Sequence, residues 1–295
     1  MIPAFVNDAA GTAPAAKRAL EEVGGFEIHA VRPDQLESSI RETMASAPAR
    51  ILIAGGDGSV GTAARVVCGS DTELAILPGG TLNHFARDHG IPTDLDRAAS
   101  AAAKGESARA DVAYVGDRLF LNTSSVGAYV AYVRLRDRAK KYVGYRIASL
   151  VAAVRIFVSM HPVALELTVD GEKRKYSTPV VFIGVGERET QSPLLGNRVP
   201  GGRHCLHVIV VRERRAARLL VVALDAATRG LDRLSRTPEL DSFMVDSCVI
   251  KLDGRRHHVA VDGEIIRGTL TLDYRLAKGT LKIVVPATGT SESPE

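Results

Sequence analysis

Along residues 1–115, short apolar runs of strand length alternate with stretches whose apolar residues recur at helical spacing. The runs 2–6, 26–31, 50–54, 73–77 and 110–115 predict strands, and 13–24, 34–46, 60–69 and 94–105 predict helices between them. Such alternation predicts βαβ units and a parallel sheet covered on both faces. Beyond a basic helical segment near Arg134 to Met160, the period changes from 3.6 to 2. Alternating runs at 163–169, 179–185, 205–211, 243–252, 257–261, 269–274 and 280–285 predict antiparallel, sandwich-like β structure, with one helical excursion at 215–234. The expected organisation is an α/β domain over 1–115, a β-rich domain over 116–286 and a flexible tail over 287–295. No repeat of 20–50 residues is present.

Composition changes this picture little. The 295 residues are 45% hydrophobic and 24% charged, which is ordinary globular usage. A net charge of +4 with a pI near 9.0 permits an anionic partner without choosing one. Three cysteines, Cys68, Cys205 and Cys248, lie far apart with no C-x-x-C pair, so a reducing compartment is expected. The start lacks a basic segment followed by a long apolar run, and no apolar run approaches the ~20 residues that span a bilayer. The expected location is cytoplasmic, peripheral on the inner face of the membrane if the substrate is a lipid. Nucleic acid is not an expected partner: aromatic residues are 5% and no binding module is recognisable.

The chemistry concentrates where strands meet helices. The stretch from Ile51 to Val67, ILIAGGDGSVGTAARVV, runs an apolar strand into glycines and then into a helix. Such a corner brings main-chain N–H groups close to a ligand at the positive end of a helix, which suits phosphate. Ser59 is expected to cap the helix. Gly56, Gly58 and Gly61 satisfy G-x-G-x-x-G, but the following strand ends in PGGTLNHFARD rather than in the acidic residue a dinucleotide fold needs for the ribose. A Walker loop is excluded because no Lys-Ser or Lys-Thr follows the glycines. Pro78, Gly79, Gly80 and Thr81 repeat the device one strand later, with Thr81 expected to cap a short helix over 82–89 and Asn83 and Arg87 on one face of it. Two phosphate-grade corners at neighbouring strand ends occupy the place where open α/β sheets bind ligands.

GGDGS followed after one helix and one strand by LPGGTLNHFARD resembles the diacylglycerol kinase and sphingosine kinase family, in particular compact bacterial lipid kinases. RADVAYVGDRLFLNTSSVGAY (109–129), KKYVGYRIASLVAAVRIF (140–157) and VDGE (261–264) extend the likeness over nearly the whole chain. The resemblance implies a two-domain kinase. An α/β domain like that of NAD kinases and phosphofructokinases is followed by a β-sandwich with the lipid site, and ATP lies in the cleft between them. It implies that Asn7, Gly55, Gly56, Asp57, Gly58, Ser59, Gly61, Gly80, Thr81 and Asn83 hold the nucleotide and that Glu264 accepts the proton. Asp57 and Asp111 are then the acidic groups for Mg²⁺. The implied partners are ATP and a lipid at the membrane surface, diacylglycerol leading; a homodimer is compatible. Phosphoryl transfer needs these groups: an aligned donor, neutralised oxygens and a carboxylate for the proton of the attacking alcohol.

Local reading leaves the carboxylate open. VDGE occurs at 169–172 and at 261–264, and both copies read as Asp-Gly hairpin turns, so Glu172 is as good a candidate as Glu264 on residues alone. The family's Asn-Asp after the second corner is Asn83-His84 here, and its Asp-Gly-x-Leu magnesium element is replaced by PGGRHCLHV (200–208). His204, Cys205 and His207 alternate along a predicted strand and are not read as a zinc site. The basic apolar segment 134–157 and RERRAAR (212–218) suit an anionic bilayer or core packing. Two other readings stay open: transfer to a soluble acceptor, as in an NAD kinase, and a catalytically impaired lipid- or nucleotide-binding protein.

Overall fold

The computed structural model describes residues 1–127, 162–189, 197–212, 240–253 and 257–287. The basic segment 134–157, the predicted helix 215–234, most of RERRAAR and the tail after 287 lie outside the described residues. In chain order the elements are β1 (Ile2–Asn7), α1 (Ala13–Val23), β2 (Phe26–Val31), α2 (Leu36–Met44), β3 (Arg50–Gly55), α3 (Asp57–Val67), β4 (Glu73–Pro78), α4 (His84–Asp88), α5 (Leu95–Lys104) and β5 (Glu106–Val115). Strands follow: β6 (Arg118–Phe120), β7 (Thr123–Gly127), β8 (Val163–Val169), β9 (Glu172–Thr178), β10 (Val180–Val185), β11 (Leu206–Val211), β12 (Leu240–Val245), β13 (Ser247–Leu252), β14 (His257–Val261), β15 (Glu264–Gly268) and β16 (Thr271–Val285).

Residues 1–112 and the chain from Ala277 form one compact unit; Ala113–Leu276 forms the other. The first contains the expected parallel sheet, in the order β2-β1-β3-β4-β16. Its central strands β1, β3 and β4 are buried on both faces, as a sheet covered by helices on both sides requires. Ala4, Val6, Leu52, Ala54 and Leu77 pack with Ala16, Ala19 and Leu20 of α1 and with Ala98, Ala99 and Ala102 of α5. The alanines on these two helices keep their bulk small where the helices meet each other. Asp94 caps α5 by accepting the N–H of Arg97 at 3.0 Å. At its other end Arg50, half-buried and paired with Glu73 at 2.7 Å, donates to the carbonyls of Ala102 and Ala103. A cation thus meets the negative end of the helix.

The second unit is a sandwich of antiparallel strands, as the period-2 runs predict. One sheet, β12-β11-β10-β7-β14-β15, faces a second that contains β13, β8, β9 and the first part of β16. Inward residues of both, among them Val126, Leu167, Ile183, Val208, Ile250, Val259 and Leu272, make one core. Tyr274 is fully buried there, edge-on to Phe120, with its hydroxyl 3.0 Å from Ser124 Oγ.

The last strand departs from the expected division. The first part of β16 pairs with β13 in the second unit, whereas Ile283 pairs in parallel with Leu74 of β4 in the first. Residues 277–286 therefore belong with the α/β unit rather than with 116–286, and the first unit's leading segment ends at Val112. Period-2 alternation states that a strand forms; it carries no information about which sheet receives it.

Candidate functional site

Both glycine corners lie at the carboxyl ends of adjacent strands, β3 and β4, and touch. The N–H of Gly79 donates to Gly55 O at 2.9 Å. A Cβ on Gly80 would stand 2.6 Å from the Gly56 Cα, and one on Gly79 would stand 2.7 Å from Thr12 Oγ1. These glycines allow two backbones to pass in contact, which no larger residue permits. Gly58 differs: it is exposed, and a Cβ there meets nothing within 4 Å. It lies in the first turn of α3, where backbone N–H groups have no intrahelical acceptor. Gly56 ahead of it is extended (φ −86°, ψ −177°), so the chain enters the helix directly from the strand.

Side chains brace this arrangement. Asn7, at the end of β1, donates from Nδ2 to Ser59 Oγ at 3.1 Å, while its Oδ1 accepts the N–H of Ala9. Thr12 donates to Gly79 O at 3.0 Å. Asn83 Oδ1 accepts the N–H of Gly80 at 2.8 Å and its Nδ2 donates to Gly80 O at 2.9 Å, which closes the second corner on itself. The Asp57 carboxylate accepts the N–H groups of His84 and Phe85, both at 3.2 Å, and so caps α4 from the first turn of α3.

Two capping expectations are corrected. α3 begins at Asp57, which puts Gly56 at the cap position; Ser59 sits inside the helix with its hydroxyl held by Asn7. α4 begins at His84 behind Asn83 in the left-handed region (φ 49°), so exposed Thr81 is not its cap. Asp57 supplies the acceptor that Thr81 was expected to give. Gly61 is buried a full turn inside α3. A cavity of about 760 Å³ adjoins the second corner; Gly80, Thr81, Asn83, Arg18, Arg87 and Asp94 are among its lining residues. Asn83 and Arg87 both border this hollow, although Asn83 stands ahead of α4 rather than on one helix face with Arg87.

The acidic groups fit magnesium unevenly. Each Asp57 oxygen accepts one N–H and keeps lone-pair capacity, which suits an ion carried in with nucleotide phosphates. Asp111 is 2% exposed and accepts the N–H of Gly279 at 2.8 Å, a tie between β5 and β16. Among the described residues no group of three or more His, Cys, Asp or Glu is placed to hold a metal. Among the described residues the Asp57 carboxylate, beside phosphate oxygens, is the group placed to meet such an ion.

Within the second unit the two VDGE hairpins separate. Both are type I′ turns, with φ of 50° and 80° at Asp170 and Gly171 and of 46° and 81° at Asp262 and Gly263. Glu172 pairs with Arg174 two residues along its own edge strand. Glu264 pairs instead with Arg118 of β6, and Asp262 accepts the N–H groups of Leu121, Asn122 and Thr123 at 2.7, 2.8 and 3.0 Å. The Asp-Gly signal marks Asp262 as a turn former but does not reveal a partner about 140 residues away, and nothing near Arg118 announces its pairing with Glu264.

Cys205 and His207 are buried and His204 is exposed, while Leu206, Val208 and Val210 are the β11 residues that enter the core between the sheets. His207 Nδ1 accepts the N–H of Arg188 at 2.8 Å, so its Nε2 carries the proton toward Ser242 Oγ at 2.6 Å. Burial holds this imidazole below the usual histidine range, and burial pushes the Cys248 thiol up to about 12, which leaves it unreactive.

The family of the diacylglycerol kinase catalytic domain matches residues 4–115. A "Diacylglycerol kinase" of Mycobacterium tuberculosis is 27% identical over 140 residues, 44% of this chain and 45% of that protein. A "Probable lipid kinase YegS-like" of Pseudomonas aeruginosa is 27% identical over 261 residues, 84% of this chain and 80% of that one. An uncharacterised Synechocystis protein is 24% identical over 80% of this chain and 54% of its own length. The match thus spans about half the length of the Mycobacterium and Synechocystis relatives. The crystal structure of a diacylglycerol kinase from Bacillus anthracis superposes with a TM-score of 0.67 at 18% identity, covering 96% of both chains, a likeness of fold. Among the described residues no helix is long and apolar enough to cross a membrane.

Proposed function

Because residues 4–115 match the family of the diacylglycerol kinase catalytic domain, we propose that this chain is a lipid kinase that transfers the γ-phosphate of ATP to a lipid hydroxyl, with diacylglycerol as the leading acceptor. The observation that carries this reading is the contact between Gly56 and Gly80, which joins two bare-backbone corners at neighbouring strand ends. Gly58 N–H, at the open first turn of α3, is the group we assign to the phosphate tail, with Asn7, Gly55, Ser59, Gly61, Thr81 and Asn83 shaping its surroundings. A triphosphate there meets unpaired N–H donors and the positive end of a helix.

In the proposed reaction the acceptor oxygen bonds to the γ-phosphorus, the bond from that phosphorus to the β-bridging oxygen breaks, and ADP departs. Glu264 takes the proton of the attacking hydroxyl. Its carboxylate is half-exposed and, among the described residues, is paired with Arg118, so an acceptor can reach it. Mg²⁺ bound with the nucleotide would neutralise phosphate oxygens, and Asp57 is the carboxylate placed to meet it. The proposed setting is the cytoplasmic face of a membrane, where the acceptor resides.

Incubation with γ-labelled ATP, Mg²⁺ and a panel of diacylglycerol vesicles, sphingoid bases and NAD tests the reading. Label in the extracted diacylglycerol product is the expected result. Label in NAD alone would make the chain a soluble-acceptor phosphotransferase, and ATP binding with no transfer to any acceptor would make it a binding protein.

A further inference from the structure

Two identical tetrapeptides in one chain form the same turn, yet one is clasped by distant backbone and the other is not. β15, which starts at Glu264, is a five-residue strand that, among the described residues, lies at the edge of its sheet and pairs with β14 alone. Its residues are exposed or half-buried throughout, with Ile266 packed against the core two positions beyond Glu264, so side-chain packing anchors the strand more than it aims the Glu264 carboxylate. Short edge hairpins of this kind are among the first elements to open. Asp262 compensates. Besides the three N–H groups its carboxylate accepts, its own N–H donates to Thr123 O at 2.8 Å.

The segment it grips is itself anchored. Asn122 O accepts the N–H of Val185 at 3.0 Å and the guanidinium of Arg188 at 3.1 Å. Arg188 is 5% exposed, donates also to Val185 O, and its own N–H is held by His207. A continuous set of hydrogen bonds therefore leads from the buried His207 through Arg188 and Asn122 to the turn before Glu264. Arg118, three residues before Leu121, then reaches Glu264 from the same segment. The turn and the 118–123 segment are joined at two points. The Asp262 bonds form the permanent one; the exposed ion pair, weak in water, forms the one a substrate can displace.

We propose that Asp262 is a positioning residue for Glu264: it fixes the carboxylate's height and direction and keeps it in place when Arg118 turns to another anion. The inference rests on Glu264 as proton acceptor. Asp170, at the corresponding place in the other VDGE hairpin, has no such role.

The test measures labelled-phosphate transfer at saturating acceptor for Asp262→Asn, Asp170→Asn, Glu264→Gln and the double variant Asp262→Asn/Glu264→Gln, each checked for a folded circular dichroism spectrum. Asn keeps one acceptor oxygen, so the turn survives; Asp262→Ala serves as the harsher companion. Expected is a fall in kcat of at least about tenfold for Asp262→Asn with the KM for ATP unchanged, no change for Asp170→Asn, and no further fall when Asp262→Asn is added to Glu264→Gln. That non-additivity is the mark of a residue acting through another. Loss in Glu264→Gln with wild-type kcat in Asp262→Asn overturns the inference and leaves the base in place. A further fall in the double variant equal to that of Asp262→Asn alone overturns it as well, since a general structural defect is additive. Full activity in Glu264→Gln overturns the base itself.

Discussion

Asp57 and His84 belong to different glycine corners, and the carboxylate of the first accepts the backbone N–H of the second at 3.2 Å, with Phe85 N–H on its other oxygen. One side chain therefore locks the relative position of both corners. Asp57→Ala leaves two N–H groups without their acceptor and lowers unfolding stability by about 1–2 kcal/mol, read from urea denaturation. Asp57→Asn keeps one acceptor and loses less than half of that, yet its phosphate transfer falls at least about tenfold if the charge also serves the nucleotide's metal. Equal stability and equal activity in Asp57→Asn would reduce the residue to a cap.

The contact of Gly56 with Gly80 sets a sharper requirement. Gly80→Ala places a methyl group 2.6 Å from the Gly56 Cα and 2.8 Å from Asn83 Oδ1. Backbone must shift to admit it, at a cost of about 1–3 kcal/mol. The variant melts at lower temperature than wild type by differential scanning calorimetry and binds nucleotide more weakly; an unchanged melting temperature would mean that the corners are looser than described.

Glu264 and Glu172 offer a matched pair. Labelled-phosphate transfer falls by about 10²–10⁴ in Glu264→Gln, the usual worth of a general base, and stays at wild-type level in Glu172→Gln. The reverse pattern would assign the base to the other hairpin.

His207 gives the fold an acid sensitivity. Burial lowers its pKa, the Arg188 charge adds to that effect and Glu187 opposes it. The folded state therefore binds this proton less readily than the unfolded chain does. Stability from the neutral ring is complete above the unfolded value of about 6.5 and is lost as pH falls from there toward the lower folded value. Melting temperatures measured from pH 7.5 to 5 fall more steeply for wild type than for His207→Gln, and parallel curves would contradict this.

Much of this site was legible in the residues because glycine, aspartate and apolar periodicity act locally. The two corners, the parallel βαβ order and both hairpin turns all follow from neighbours within a few positions. What escaped was long-range. Ser59 and Thr81 have the right chemistry to cap, but the caps went to a backbone glycine and to Asp57, 27 residues from His84. Nothing near Asp262 distinguishes it from Asp170; the difference is whether the segment 121–123 folds against it. The return of 277–286 to the first unit was hidden for the same reason, since alternation is identical in either sheet. Arg50 shows the principle in the core: a strand arginine finds its acceptors at the end of α5, about 50 residues on.

In the proposed complex a triphosphate rests on the first turn of α3, and Gly58 isolates that contact because a side chain there meets open space. Calorimetric titration of ATP and Mg²⁺ into wild type and Gly58→Val, with melting curves of both, reads this directly. Gly58→Val is expected to melt within a few degrees of wild type and to lose ATP binding by at least about 1.4 kcal/mol, tenfold in affinity. A folded Gly58→Val that binds ATP as tightly as wild type would contradict it.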